Sequence, residues 1–260
     1  MRLALSIEYI GKKYYGWQRQ NIDSNNTVQY FVDNALSKIA NHKIKSICSG
    51  RTDTKVNALN QIIHFDTSSK RSEKNWIDGT NSNLPEDIRV KNIYKVPKDF
   101  HARFSAVSRT YKYSISNDDS LSIFNRSFTY IVRDKLSLAK MKSSLKYIKG
   151  KHDFTSFRSS GCQANSPERN VLSLSLEKEN KLIIFTITAN AFLYHMVRNI
   201  VGSILDVGTS KLKPSDINKI MNEKNRKYSS KMAPANALFL WHTTYPQKYQ
   251  IKYNNESILL

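Results

Sequence analysis

The sequence SGRTDTKVNA at residues 49–58 lies between two short apolar runs, at residues 44–48 and 62–65. Apolar runs of this length, separated by a polar stretch that contains a glycine, predict two strands joined by a turn. Residues two apart on an extended segment point to the same side, so Arg51 and Asp53 are expected to project together. Such a pair is either a surface ion pair or, when it faces a cleft, a catalytic acid beside a guanidinium.

Hydrophobic periodicity outward from this turn predicts alternating strands and helices. Residues 2–9 alternate like a half-buried strand, and Thr27 precedes an apolar stripe that predicts a helix to about Ala40. The second half repeats the order strand, helix, strands, helix, strand, with helices predicted over residues 136–149 and 194–208. Two similar α+β halves are therefore expected, joined edge to edge with a cleft between them.

The same pattern predicts where the halves begin and end. The first half, residues 1–105, carries the turn with Asp53, and the second half spans residues 106–246. Residues 151–169 are polar and aperiodic, which predicts a loop. Residues 247–260 lack turn and helix signals and are expected to form a loose tail.

Composition indicates a globular protein without metal or membrane chemistry. The chain has 260 residues, of which 40% are hydrophobic, and no apolar run is long enough to cross a bilayer. The two cysteines and six histidines form no disulfide framework and no metal-ligand motif, and the glycine-rich phosphate-cradling pattern is absent. We therefore expect no structural or catalytic metal. With no export signal at residues 1–9, the expected compartment is the cytoplasm.

The formal charge of +20, from 41 Lys and Arg against 21 Asp and Glu, points to an anionic partner. Nucleic acid and an anionic membrane surface both fit this charge, but no basic amphipathic helix supports the membrane. Part of the lysine excess is typical of an A+T-rich genome, so placed arginines carry more weight.

The segment at residues 11–20 interleaves aromatic and basic side chains between glycines. Aromatic rings offer stacking faces and basic groups offer phosphate contacts, so Trp17 and Arg19 are candidate RNA-contacting residues. The alternative is that Trp17 and Tyr15 pack on the sheet.

A series of further motifs runs in order through residues 2–246. They are YYGWQRQ (14–20), SGRTD (49–53), NLP (83–85), FHARFSA (100–106), YKY (111–113), HDFTSFR (152–158), RN (169–170) and NAFLYHMVRNIVG (190–202). In this order they resemble the bacterial tRNA pseudouridine synthase A (TruA) family.

By that resemblance, Asp53 is the catalytic aspartate and nucleophile, with Arg198 as its ion-pair partner. Tyr111 is the aromatic residue that stacks on the target base, and Arg51 helps take that base out of the stem or hold the opened site. The fold implied is two ferredoxin-like (RRM-like) α+β halves that share a central mixed, mainly antiparallel sheet. Helices are packed on one side of that sheet, and a cleft lies at the junction.

The resemblance also implies a homodimer that acts on tRNA without metal or cofactor. Its reaction is isomerisation of uridine to pseudouridine at positions 38, 39 and 40 of the anticodon stem-loop. His101, Arg103 and Arg158 are candidates for the rim of the cleft, although each fits a packing role at the hinge equally well. Arg169 is a further candidate RNA contact.

Three residues, Thr54, Lys55 and Asn57, depart from the family pattern Arg-Thr-Asp-Ala-Gly-Val-His-Ala. Lys55 stands where the family has glycine, and lysine strains the turn by about 1 kcal/mol if that position requires a positive φ. Asn57 stands where the family has histidine, so we expect no proton transfer from that position.

Two other classes of function fit part of the sequence. A non-catalytic RNA-binding module of ferredoxin-like halves explains the charge and the aromatic residues equally well, with Lys55 and Asn57 as signs of decay. A metal-dependent nuclease is the other class, and the lack of clustered carboxylates near Asp53 argues against it.

Overall fold

The computed structural model describes residues 1–19 and 25–252. They form two compact units: unit 1 combines Met1–Val107 with residues 239–252, and unit 2 is Ser108–Leu238. The predicted boundary after residue 105 lies close to this division, whereas the last strand, expected in the second half, belongs to unit 1. Gln20 of the first motif and residues 253–260 of the predicted tail lie outside the described residues.

Strands and helices alternate along the chain. The strands are β1 (Arg2–Tyr9), β2 (Ile47–Cys48), β3 (Asn57–Asp66), β4 (Ile88–Val96), β5 (Ser108–Ser116), β6 (Tyr130–Ile131), β7 (Gly150–Asp153), β8 (Glu168–Glu179), β9 (Leu182–Ala189) and β10 (Leu238–Thr244). The α-helices are α1 (Val28–Ala40), α2 (Glu73–Asn81), α3 (Ile123–Arg126), α4 (Leu138–Ser144), α5 (Met196–Gly208) and α6 (Asp216–Glu223). None of the helices in the described part of the chain has both the length and the apolarity of a membrane span.

The sheet of unit 1 has the strand order β4-β1-β3-β10, with β2 paired to β3. β1 pairs antiparallel with β3 and β4, and β10 runs parallel to β3, so the sheet is mixed. β1 is more buried than the half-buried strand that its alternation predicted, since six of its eight residues are buried. Helix α2 begins after Ser72, whose side chain accepts a hydrogen bond from the N–H of Asn75 (3.1 Å).

The core of unit 1 includes residues that follow β10. Phe100 is fully buried, and its ring lies 5.1 Å from the ring of Tyr245 and 5.0 Å from that of Tyr249. Residues Gln247–Tyr249 form a short 3-10 helix that brings Tyr249 into this cluster. Tyr249 is therefore part of the core, and the start of the predicted loose tail is ordered against it. The sequence pattern missed this because the apolar partner, Phe100, lies far away in sequence.

Unit 2 repeats the arrangement with the order β5-β9-β8-β7. β9 pairs antiparallel with β5 and with β8, as β3 pairs with β1 and β2 in unit 1. The expectation of an α+β fold with two similar halves and mainly antiparallel pairing is confirmed.

Three segments of unit 2 differ from their predictions. The helix expected over residues 136–149 is shorter, since α4 ends at Ser144 and a 3-10 turn at Leu145–Tyr147 leads to Gly150 with φ +106°. The loop expected at residues 151–169 contains most of β7 and a 3-10 turn at Thr155–Phe157. Helix α3 and strand β6 lie in a stretch for which the sequence predicted no element.

Candidate active site

The loop that carries Asp53 is anchored at its start by strand β3. Gln61 of β3 accepts a hydrogen bond from Ser49 Oγ (2.7 Å) and donates through Nε2 to the carbonyl oxygen of Gly50 (2.6 Å). The hydroxyl groups of Ser49 and Thr243 share a further hydrogen bond of 3.0 Å. Gln61 is fully buried, so the polar groups that it pairs fix the entry to the loop without competition from water.

The segment that follows β1 holds the middle of the same loop. The N–H of Trp17 donates to the carbonyl of Thr52 (3.1 Å), and the N–H of Lys55 donates to the carbonyl of Tyr14 (3.3 Å). The hydroxyl groups of Tyr9 and Thr52 share a hydrogen bond of 2.7 Å. Two segments distant in sequence therefore fix the backbone on both sides of Asp53.

Gly16 allows this close approach between the two segments. Its φ is +83°, and a Cβ atom at this position would lie 2.5 Å from the carbonyl oxygen of Thr52 and 3.0 Å from the carbonyl carbon of Asp53. Any side chain here would push against the backbone of the loop that carries Asp53.

Arg51, Thr52 and Asp53 alternate in exposure. Arg51 is exposed, Thr52 is 7% exposed, and Asp53 is partly buried. The loop then turns through a hydrogen bond from the N–H of Val56 to the carbonyl of Asp53 (3.1 Å). Because Thr52 points inward, its two neighbours Arg51 and Asp53 point to the opposite side, which agrees with the prediction that they project together.

Of the departures from the family pattern, those at Lys55 and Asn57 have different structural consequences. Lys55 has φ +67°, so the left-handed conformation that favours glycine is present at this position. Asn57 is buried and accepts a hydrogen bond from the N–H of Gly11 through Oδ1 (2.9 Å). Asn57 thus braces the loop, which is a role that an amide performs without a titrating proton.

The two candidate RNA contacts before α1 have different surroundings. Trp17 is fully buried with its ring 5.9 Å from that of Tyr9, which contradicts its expected place on an RNA-facing surface and matches the packing alternative. Arg19 is exposed, and its guanidinium lies 5.2 Å from the centre of the Tyr30 ring. Tyr15 is 48% exposed, so the packing alternative does not extend to it.

His101 and Arg103 lie in a tight turn of unit 1. The N–H groups of Arg103 and Phe104 both donate to Nδ1 of His101 (3.2 Å each), which requires that nitrogen to be unprotonated. Burial and the charges of Arg2 and Arg103 lower the pKa of His101, in agreement with this acceptor role. Arg103 is exposed and His101 is partly buried.

Tyr111 lies on β5 of unit 2, opposite Ile187 of β9. It is 8% exposed, and its ring meets the ring of Phe192 edge-on at 5.0 Å. Phe192 belongs to the segment that leads into α5, so Tyr111 is fixed by a residue close in sequence to Arg198.

Arg198 lies in the first turn of α5 and is bound to the segment around Ala233. Its Nε donates to the carbonyl of Ala233 (2.9 Å), and the N–H of Ala233 donates to the carbonyl of Arg198 (3.1 Å). Burial raises the pKa of Tyr113, and the nearby charge of Arg198 opposes that rise. Because Tyr111 and Tyr113 share one face of β5, unit 2 brings Arg198 to the face that carries Tyr111.

Arg158 and Arg169 bind backbone carbonyls of the loop between β7 and β8. Nη2 of Arg158 donates to the carbonyl of Cys162 (2.7 Å), and Nη1 of Arg169 donates to those of Ser166 (2.9 Å) and Glu168 (2.5 Å). Burial lowers the pKa of Arg169. These contacts show a structural role for both arginines and leave their expected RNA contacts as predictions.

The residues that sequence reasoning missed are those that support the loop. Gln61, Tyr9 and Ser49 are polar residues in buried positions at or next to strands, and only their distant partners identify them. Over residues 1–19 and 25–252, acidic, histidine and cysteine side chains form no cluster suited to a metal ion.

Comparison with known proteins identifies the family. A family model described as "tRNA pseudouridine synthase" matches residues 5–105 and 145–246. The chain belongs to this family. A protein of Buchnera aphidicola named tRNA pseudouridine synthase A is 44% identical over 249 residues, which are 95% of this chain and 92% of that protein.

Two further relatives with the same name extend the match. The protein of Mannheimia succiniciproducens is 43% identical over 96% of this chain and 95% of its own length. The protein of Legionella pneumophila (strain Lens) is 44% identical over 98% of this chain and 97% of its own length. The resemblance to the TruA family is therefore confirmed, and the chain is an enzyme of a pseudouridine synthase family, which is a family of isomerases.

Proposed function

We propose that this enzyme isomerises uridine to pseudouridine at positions 38, 39 and 40 of the tRNA anticodon stem-loop, with Asp53 as the nucleophile. The observation that carries the proposal is the position of Asp53 in a loop whose backbone is fixed from two sides, by Gln61 and by Trp17. Membership of the tRNA pseudouridine synthase family supports tRNA as the substrate.

The reaction places defined demands on the site. The N1–C1′ bond of uridine breaks and a C5–C1′ bond forms, while C5 loses a proton and N1 gains one. The base must leave its helix, and it must turn without escaping. We propose that Asp53 supplies the carboxylate for the change of bond at C1′, because hydrogen bonds restrict the backbone of its loop and so preorganise the side chain.

Three residues are proposed to bind the substrate, as the resemblance implies. Tyr111 supplies an aromatic face held by Phe192, and Arg198 supplies a guanidinium held through Nε by Ala233. Arg51 is exposed on the loop of Asp53, where it is available to a phosphate or to the opened stem. The charge of +20 supports binding to the RNA backbone.

The test is release of tritium from tRNA that carries tritium at uridine C5, since attack by C5 expels that atom. The wild-type protein should release tritium, and Asp53→Ala should abolish release while it retains most of the affinity for tRNA. Asp78→Ala is the matched control, because Asp78 is an exposed carboxylate on α2 of the same unit.

The non-catalytic alternative predicts a different outcome of the same test. An RNA-binding module binds tRNA but releases no tritium at stoichiometric protein, and Asp53→Ala then changes nothing. Insensitivity of the activity to EDTA disposes of a metal-dependent nuclease.

Two further parts of the proposal concern oligomeric state and location, of which the first is implied by the resemblance to the family. These are a homodimeric state, which sedimentation equilibrium measures, and residence in the cytoplasm, which cell fractionation measures. A monomer at the protein concentration of an active assay contradicts the first part.

A further inference from the structure

Phe104 is a large apolar residue that the fold of unit 1 turns outward. It exposes 75% of its surface, whereas Phe100 and Ala102 of the same segment are fully buried. A single exposed phenylalanine needs no explanation by itself, so the argument depends on how this one is held and on what surrounds it.

The turn that presents Phe104 is closed by four hydrogen bonds. The N–H of Ser105 donates to the carbonyl of His101 (2.8 Å), and Oγ of Ser105 accepts from the N–H of His101 (2.9 Å). Nδ1 of His101 accepts from the N–H groups of Arg103 and Phe104 (3.2 Å each). The backbone of the turn that carries Phe104 is therefore fixed before any partner binds, which lowers the entropic cost of a contact.

Two groups that suit nucleic acid lie against the Phe104 ring. The ring of His101 lies 4.3 Å away at an interplanar angle of 31°, and the guanidinium carbon of Arg103 lies 5.5 Å from its centre. A stacked ring beside a cation is the combination that binds single-stranded bases, because the ring takes the base and the cation takes the phosphate.

The turn is attached to the strands that carry the catalytic loop. The N–H of Ala102 donates to Nδ1 of His64 (3.1 Å), and His64 pairs with Ile47 in β2, which leads into that loop. Burial raises the pKa of Cys48 to about 12, and the charges of Arg51 and Arg103 oppose this rise. Both guanidinium groups therefore lie near Cys48, at the entry to the loop of Asp53.

We propose that Phe104 stacks on an unpaired base of the bound tRNA, with Arg103 on the phosphate backbone of the same strand. This inference rests on the proposed function and adds to it a binding residue outside the set of Asp53, Tyr111, Arg198 and Arg51. Charge complementarity favours RNA as the occupant over a second copy of this chain, which is itself strongly cationic.

The test compares Phe104→Ala, Phe104→Leu and Phe104→Trp by affinity for tRNA and by tritium release. Loss of one stacked base costs ~1–3 kcal/mol, so Phe104→Ala should weaken tRNA binding by about 5- to 150-fold. Phe104→Leu should weaken it similarly because leucine lacks a π-face. Phe104→Trp should retain affinity, and its added fluorescence should be quenched by tRNA.

Phe124→Ala is the matched control, since Phe124 is 81% exposed on α3 of unit 2 and should leave tRNA affinity unchanged. Unaltered affinity in Phe104→Ala, or full affinity in Phe104→Leu, overturns the stacking role. A change in sedimentation of Phe104→Ala without loss of tRNA affinity also overturns it and assigns Phe104 to contact between copies. If wild-type protein binds tRNA but releases no tritium, the proposed function fails while the affinity series still decides this inference.

Discussion

Replacement of Lys55 by glycine should stabilise the protein. Lys55 has φ +67°, and a left-handed backbone costs a residue with a side chain roughly 1–2 kcal/mol. Glycine loses more conformational entropy on folding, which offsets about 0.5–1 kcal/mol of that gain. The expected net stabilisation is therefore ~0.5–1 kcal/mol.

Urea unfolding measures this change. At an ordinary slope of about 1–3 kcal/mol per molar urea, the midpoint of Lys55→Gly should rise by ~0.2–1 M with an unchanged slope. The hydrogen bond from the N–H of residue 55 to Tyr14 involves the backbone only and remains in the variant. Because that bond and the turn from Asp53 to Val56 persist, kcat should stay within about twofold of wild type.

Lys98→Gly is the matched control for this prediction. Lys98 is exposed in a loop of the same unit and has no positive φ, so glycine there brings only the entropic loss. Its midpoint should fall by a similar amount. A fall in the midpoint of Lys55→Gly that matches the fall in Lys98→Gly would refute the reasoning, because the left-handed turn would then carry no strain for lysine.

Two further predictions concern the surroundings of the same loop. Gly16→Ala places a Cβ atom 2.5 Å from the carbonyl oxygen of Thr52 at φ +83°, so it should lower stability by more than ~1 kcal/mol and kcat by roughly 10- to 100-fold. Gly161→Ala is its control, since Gly161 has φ +77° with no atom within 4 Å of an added Cβ; equal loss of kcat in both variants contradicts a specific effect on the loop. Burial lowers the pKa of His64 from 6.5 to about 4, so its neutral form contributes stability that is complete above pH 6.5 and is lost as the pH falls toward 4. Between pH 7 and pH 5, the free energy of unfolding measured in urea should therefore fall less in His64→Gln than in wild type, by up to ~2 kcal/mol. Equal falls in the two proteins would contradict this role of His64.

The sequence predicts those elements that are specified by residues within the same helix or strand. The alternation at residues 2–9 and the apolar stripe after Thr27 predict β1 and α1, because burial of one face imposes the pattern directly. Ser72 predicts the start of α2 for an equally local reason, since its hydroxyl binds the N–H three residues later. The loop of Asp53 is recognised from its flanking strands and its motif.

What the sequence does not predict depends on partners far along the chain. Trp17 is buried because Gly16 lets the backbone approach Thr52. In the sequence alone, a row of basic and aromatic residues looks the same whether it lies on the surface or packs in the core. Tyr249 is buried because Phe100 lies beneath it. Arg158 resembles an RNA contact in sequence, while its guanidinium binds the carbonyl of Cys162.

Unit 1 contains β1, β3 and, after the whole of unit 2, β10. Ser49, at the entry to the loop of Asp53, shares a hydrogen bond with Thr243 of that last strand. During translation, Ser108–Leu238 emerges from the ribosome before Thr243, the partner of Ser49, has been made. All of unit 2 is therefore synthesised before unit 1 is complete. A nascent chain therefore lacks this contact at the entry to the loop of Asp53 until β10 has been made, and a truncated product of interrupted synthesis carries Asp53 without it.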